Sequence, residues 1–251
     1  MKPVVLAALC GIVLPMAVHA QSAEEKALAQ ETYVEGIRIL SNPALEKAGV
    51  RLAYVLQDTQ PGGGKYFCGA LTGSNLQLAS SLVATAFAKM PAASLQQSGL
   101  KTVLLCSEAK DGGRAIGGIP VPPINLLMLG AGNGTPSNRF GTTALHEFYH
   151  FVEFKKGLYN DSAWDAAFPG YSNSYGATSP STALGSAGGS YLNGYSKTFA
   201  PEERAEIFAH FYNERSALDS YLGKGANQTF VKKLTQVIIK CRQMLGQSAC
   251  Q

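Results

Sequence analysis

Between Gly141 and Lys156 the chain reads GTTALHEFYHFVEFKK, and His146, Glu147 and His150 stand in the order His-Glu-x-x-His. On a helix, residues four apart share a face with Cβ atoms roughly 5–6 Å apart, so both imidazoles can reach one ion. Zinc takes neutral imidazoles together with a carboxylate, and in hydrolytic sites it leaves a fourth position to water. A glutamate beside that position can accept the water's proton. The spacing therefore predicts Zn2+ held by His146 and His150, with Glu147 as general base of a hydrolysis. Chance is a poor explanation, because the chain has only 4 histidines and two fall at the required spacing.

Two histidines leave the ligand set short. Outside the N-terminal segment the remaining histidine is His210, one turn after Glu206, where an ordinary i,i+4 pair accounts for it. The metzincin arrangement needs glycine and a third histidine shortly after the motif, and those positions carry Glu153 and Lys156. A carboxylate from a later helix is the better source. Tyr195 to Phe208, YSKTFAPEERAEIF, places Pro201 in a first helical turn and Glu202 and Glu206 four apart on one face, so either can supply it. The helix dipole alone also favours first-turn glutamates such as Glu202 and Glu203. Glu153 reads as a surface partner of Lys155 or Lys156.

With these residues assembled, the stretch from Gly141 to Phe211 resembles the gluzincin branch of zinc peptidases, most closely the catalytic domain of anthrax-lethal-factor-like peptidases. There a tyrosine follows His-Glu-x-x-His, an acidic ligand comes seven residues later, and another acid stands one turn on. The resemblance implies Tyr195 as the group that stabilises the transition-state oxygen, Glu202 as third zinc ligand and Glu206 as the carboxylate that orients a ligand histidine. Glu206 stays the rival third ligand. The implied activity is peptide-bond hydrolysis on a peptide or protein substrate. The likeness does not extend to the N-terminal half.

These residues need elements to hold them. Thr142 or Thr143 can cap the helix that carries the motif, and Gly157 suits its end. Before it, Ala23 to Lys47 reads as one helix or two broken near Asn42-Pro43, Val50 to Gln57 as a strand with Tyr66 to Leu71 as partner, and Leu76 to Met90 as a core helix. Leu100 to Cys106 and Ala115 to Ile119 read as strands. Ile124 to Leu129, preceded by Pro122-Pro123, reads as an edge strand whose free backbone could receive an extended peptide. After the motif comes a Gly/Ser/Tyr-rich stretch from Leu158 to Asn193, expected to line a cleft, then helices from Pro201 to Leu222 and Asn227 to Leu245. The fold class implied is α+β and zincin-like: a small mixed sheet, the active-site helix and a largely helical C-terminal part. One domain is expected over 21–251, its helix-and-sheet part spanning 21–140 and its helical part 141–251.

Composition narrows the classes. Hydrophobic residues make up 46% and charged residues 15%, which excludes a disordered chain, and a net charge of +4 without a basic block gives no support for nucleic-acid binding. Lys2, the apolar run Val4 to Val18 and Val18-His19-Ala20 read as an export signal cut after Ala20, too short and too broken for a membrane span. Four cysteines remain after it. Pairing by nearest neighbour predicts disulfides Cys68–Cys106 and Cys241–Cys250, as suits a secreted or periplasmic protein. Two other readings stay open: an exported binding module on the same scaffold without catalysis, and a zinc hydrolase of a non-peptide bond.

Overall fold

The computed structural model describes residues 20–132, 134–169, 175–176, 181–225 and 227–251. The expected export segment before Ala20 lies outside them, as does Tyr171 of the Gly/Ser/Tyr-rich stretch. The chain runs through α1 (Ala23–Thr32), β1 (Ile37–Leu40), α2 (Pro43–Lys47), β2 (Arg51–Val55), β3 (Tyr66–Cys68), α3 (Gly73–Phe87), α4 (Ala92–Ser98), β4 (Thr102–Cys106), β5 (Ala109–Asp111) and β6 (Arg114–Ile116). It continues through β7 (Gly118–Val121), a 3-10 turn at Pro122–Ile124, β8 (Leu126–Gly130), α5 (Phe140–Lys155), α6 (Ser162–Ala167), a second 3-10 turn at Tyr195–Lys197, α7 (Ala200–Asn213), α8 (Arg215–Gly223) and α9 (Gln228–Leu245). The architecture is mixed α/β with a small mixed sheet and many helices, as the sequence predicts.

Five strands form the main sheet in the order β1-β2-β4-β8-β7. β2, β4 and β8 are mutually parallel, while β1 and β7 run antiparallel to their neighbours. Every residue of β4 and β8 is buried, as expected of central strands covered on both faces. Because successive side chains point to opposite faces, Val103, Leu105, Leu127 and Leu129 join the large core under the helices, whereas Leu104, Cys106, Leu126 and Met128 join a smaller core on the other face. That smaller core is closed by α1 and by a second sheet, ordered β3-β5-β6. The Cys68–Cys106 disulfide, with Cα atoms 5.1 Å apart, ties this second sheet to β4, and Cys241–Cys250 ties the C-terminus back to α9.

Four expectations for the strands change, one being Ala115–Ile119, which divides between β6 and β7 in separate sheets. Ile37–Leu40 leaves the predicted helix and becomes β1, since pairing to β2 in register Ile37↔Val55 overrides local helix preference. Tyr66–Cys68 joins the second sheet rather than pairing with β2. The segment flanked by prolines is not the edge: β8 lies between β4 and β7, and Gly118–Val121, which carries Pro120, takes the edge position. A proline without an N–H is tolerated there because, among the described residues, no strand completes a ladder on the outer side of β7.

α5 lies between α3, α7 and the sheet. Phe148 and Tyr149 on it are fully buried, each such side chain contributing about 1.5–3 kcal/mol through removal from water. Close packing imposes glycine at Gly141, where a Cβ would approach the Leu82 carbonyl oxygen at 2.9 Å. The helix starts after Arg139 without a side-chain cap, so neither threonine acts as one. Thr142 Oγ1 instead donates to Glu214 Oε1 (2.9 Å) and accepts from Asn213 Nδ2 (2.8 Å), joining α5 to the end of α7.

Candidate metal centre

Helical spacing on α5 brings His146 and His150 to one face, with ring centroids 4.7 Å apart. α7 packs across that face and delivers Glu202 from its first turn. His146 Nε2 and Glu202 Oε2 are 2.7 Å apart, the two Nε2 atoms 3.1 Å, and His150 Nε2 and Glu202 Oε2 3.3 Å. All three side chains are buried.

The donor set fits a metal ion. A tetrahedral zinc with bonds near 2.0–2.1 Å separates its ligand atoms by about 3.3 Å, close to two of these three distances. The tautomer also fits: His146 Nδ1 lies 2.9 Å from Glu206 Oε1, so an Nδ1–H donated there leaves the Nε2 lone pair facing Glu202 and His150. Glu206 is itself fixed, accepting from Asn193 Nδ2 at 2.5 Å, with His210 Nε2 at 3.6 Å and Arg139 at 3.8 Å. Glu206 thus stands behind His146, away from the three converging atoms.

Burial and charge set the titration of these groups. For His146, burial pulls the imidazole down, but Glu202 and Glu206 outweigh it and hold the pKa well above the ordinary 6.5. His150 is likewise raised against burial by Glu153 and Glu202. Burial pushes Glu202 and Glu206 up, and the histidines bring both well below the usual carboxylate range. Glu147, which lines the cleft, is raised, chiefly by burial. A carboxylate with a raised pKa is a better proton acceptor near neutrality.

Glu147 owes its position to a close crossing. β7 passes over α5 at Gly118, where a Cβ would meet Glu147 Cγ at 2.7 Å, Leu129 Cδ2 at 2.9 Å and the Met128 carbonyl oxygen at 3.0 Å. Only a residue without a side chain lets the edge strand lie this close to the candidate base.

Tyr195, in the 3-10 turn ahead of α7, packs its ring 5.6 Å from His146. Burial first, then the Glu202 carboxylate, raises its hydroxyl above the ordinary value. A second tyrosine is here that the sequence did not single out: Tyr159 lies 5.6 Å from His150, and burial pushes it up to about 12. It belongs to the Gly/Ser/Tyr-rich stretch expected to line a cleft, and its position just beyond α5 was the available signal. Both tyrosines line the cleft of about 570 Å³ over Glu147, His150 and Glu202.

Glu153 is corrected most sharply. It is 1% exposed, not a surface residue, and accepts from Arg204 Nε at 2.5 Å. Arg204, equally buried, also donates to the Tyr159 carbonyl (2.8 Å). Glu203, in the first turn of α7 where the dipole favours it, is fully buried on Lys233 at 2.8 Å, with Tyr175 donating to it. His210 stays outside the converging trio, 3.0 Å from Glu214 Oε2.

No protein-family model matches the chain, and none of the curated proteins does. Among solved structures it is similar to the crystal structure of a candidate zinc-binding metallo-peptidase from Bacteroides caccae. The two share 14% identity over 93% of this chain and 91% of that chain, with a TM-score of 0.48.

Proposed function

We propose that this protein is an exported zinc-dependent metallopeptidase of the gluzincin type, one zincin-like domain over 21–251 that acts in the periplasm or outside the cell. The observation that carries the reading is the convergence of His146, His150 and Glu202 with Glu147 beside them in an open cleft. His146, His150 and Glu202 would hold the ion. Bound there, zinc would supply Lewis acidity, bringing a water's pKa toward neutrality and polarising a carbonyl. Glu147 accepts the proton from the attacking water and passes it to the leaving amine. The Tyr195 hydroxyl donates to the oxygen that gains charge, and a raised pKa keeps that proton in place at working pH. Glu206 fixes the His146 tautomer. An extended substrate gains backbone hydrogen bonds from the free edge of β7. Two disulfides and an export signal support the location.

The test is Glu147→Gln. It should bind zinc as tightly as the parent and lose hydrolysis of unfolded proteins and mixed peptides; retained cleavage sinks the assignment. Zinc bound with no cleavage by the parent protein would favour a binding module, and turnover confined to non-peptide esters or amides a different hydrolase.

A further inference from the structure

The cleft has two unlike ends. One turn beyond His150, α5 presents Phe154, whose 44% exposure is unusual for an aromatic ring on a helix otherwise devoted to the core. Its ring stacks on Tyr159 with centroids 4.1 Å apart and planes 11° from parallel. β7 runs beside α5 in the same sense: Gly117 lies against Thr143, Gly118 against Glu147, and the turn after β7 reaches the end of α5 through Lys155 Nζ to Asn125 Oδ1 (2.9 Å). Pro120 and Pro122 therefore line the Phe154–Tyr159 end, which is apolar on both sides.

Toward the other end the chain leads back from Gly118 to Arg114. Pairing of Tyr66 with Asp111 and of Asp111 with Arg114 brings Lys65 there too. Both cations line the cleft; Arg114 is exposed and has no ion pair among the described residues, and Asp111 acts on the charge of Lys65. Among the described residues no strand pairs with the outer edge of β7. A segment added to it antiparallel, the more stable ladder, runs from the aromatic end to the cationic end.

Building on the peptidase reading, we infer that the cleft selects an extended segment with a bulky apolar side chain before the scissile bond and an acidic side chain after it. The aromatic pair stays exposed because the substrate's side chain completes its packing, and the Lys65–Arg114 end attracts the carboxylate.

Quenched peptides that place Phe or Ala before one central bond, and Glu or Lys after it, separate the terms, with Glu147→Gln as blank. Phe should exceed Ala in kcat/KM by at least about tenfold, and Glu should exceed Lys by about fivefold at low salt, less as salt rises. Phe154→Ala should erase the Phe preference, bringing Phe and Ala substrates to about the same kcat/KM. Arg114→Glu, at an exposed site that folding does not need, should turn the charge preference toward Lys. Cleavage without these preferences, or with both mirrored across the bond, overturns the inference and leaves the peptidase reading intact. Absence of cleavage of any peptide by the zinc-loaded protein overturns both.

Discussion

His146 and His150 stand one helical turn apart and face the same point, yet they are held in opposite ways. Behind His146 a carboxylate makes a direct hydrogen bond, and that carboxylate is tied in turn to Asn193, His210 and Arg139. Behind His150 the nearest carboxylate, Glu153, stays 3.9 Å from Nδ1, which makes no hydrogen bond among the described residues, because Arg204 has already claimed it. One imidazole is oriented by hydrogen bonding, the other by the packing of Tyr159 and of the buried Glu153–Arg204 pair. Charges near the candidate metal centre thus serve two ends: Glu206 orients His146, whereas Glu153 braces the scaffold.

The strongest way to break that contrast is Arg204→Met, which leaves the Glu153 carboxylate buried and alone. It should cost about 3–5 kcal/mol in denaturant unfolding, and adding Glu153→Gln should recover part of the loss. Next come the two tyrosines, one on each histidine. Tyr195→Phe should lower kcat by roughly 10²–10³-fold, the usual effect of losing an oxyanion donor, while Tyr159→Phe, which keeps its stacked ring, should change kcat far less. Equal losses would erase the distinction between them. Third, Glu206→Gln should weaken zinc binding about 10–100-fold in chelator competition, with little effect on unfolding of the metal-free protein compared with Arg204→Met.

The smallest effect is a pH dependence. Zinc needs neutral imidazoles, and the carboxylates hold both histidines above 6.5, so protons compete for the site more strongly as pH falls through the raised values. Glu206→Gln removes one cause of the elevation at His146. The affinity gap between parent and variant should therefore narrow on acidification, and a gap that widens would show that Glu206 acts otherwise. In the metal-free protein the same elevation stabilises the fold below pH 6.5 and is lost as pH rises through the folded-state values.

Much of the site was legible because its chemistry is local or regularly spaced. His146, Glu147 and His150 fall within one turn, and Glu202 and Glu206 share a helical face. The burial of Glu153 was hidden, since Lys155 and Lys156 beside it suggest a surface and its partner Arg204 lies 51 residues on. The partner of Glu203 was hidden for the same reason, Lys233 lying 30 residues away. The central strands stood out as apolar runs. β1 did not, because four residues carry little signal until β2 supplies the ladder. α4, a helix of 7 residues, was missed for want of length, and the expected helix from Pro201 to Leu222 divides into α7 and α8 at Glu214. Prolines correctly signalled an edge strand but named the wrong neighbour, since Pro120 sits in β7 itself.

The packing of α7 against α5 also sets an order of events. A chain made N-terminus first carries His146, Glu147 and His150 well before Glu202 has emerged, and the earlier helix alone holds two of the candidate ligands. The third arrives 52 residues after His150, when α7 docks and its buried glutamates meet Arg139, Lys233 and the two histidines. On the proposed peptidase reading, docking of one helix would act as a safety catch, released only when the fold is finished.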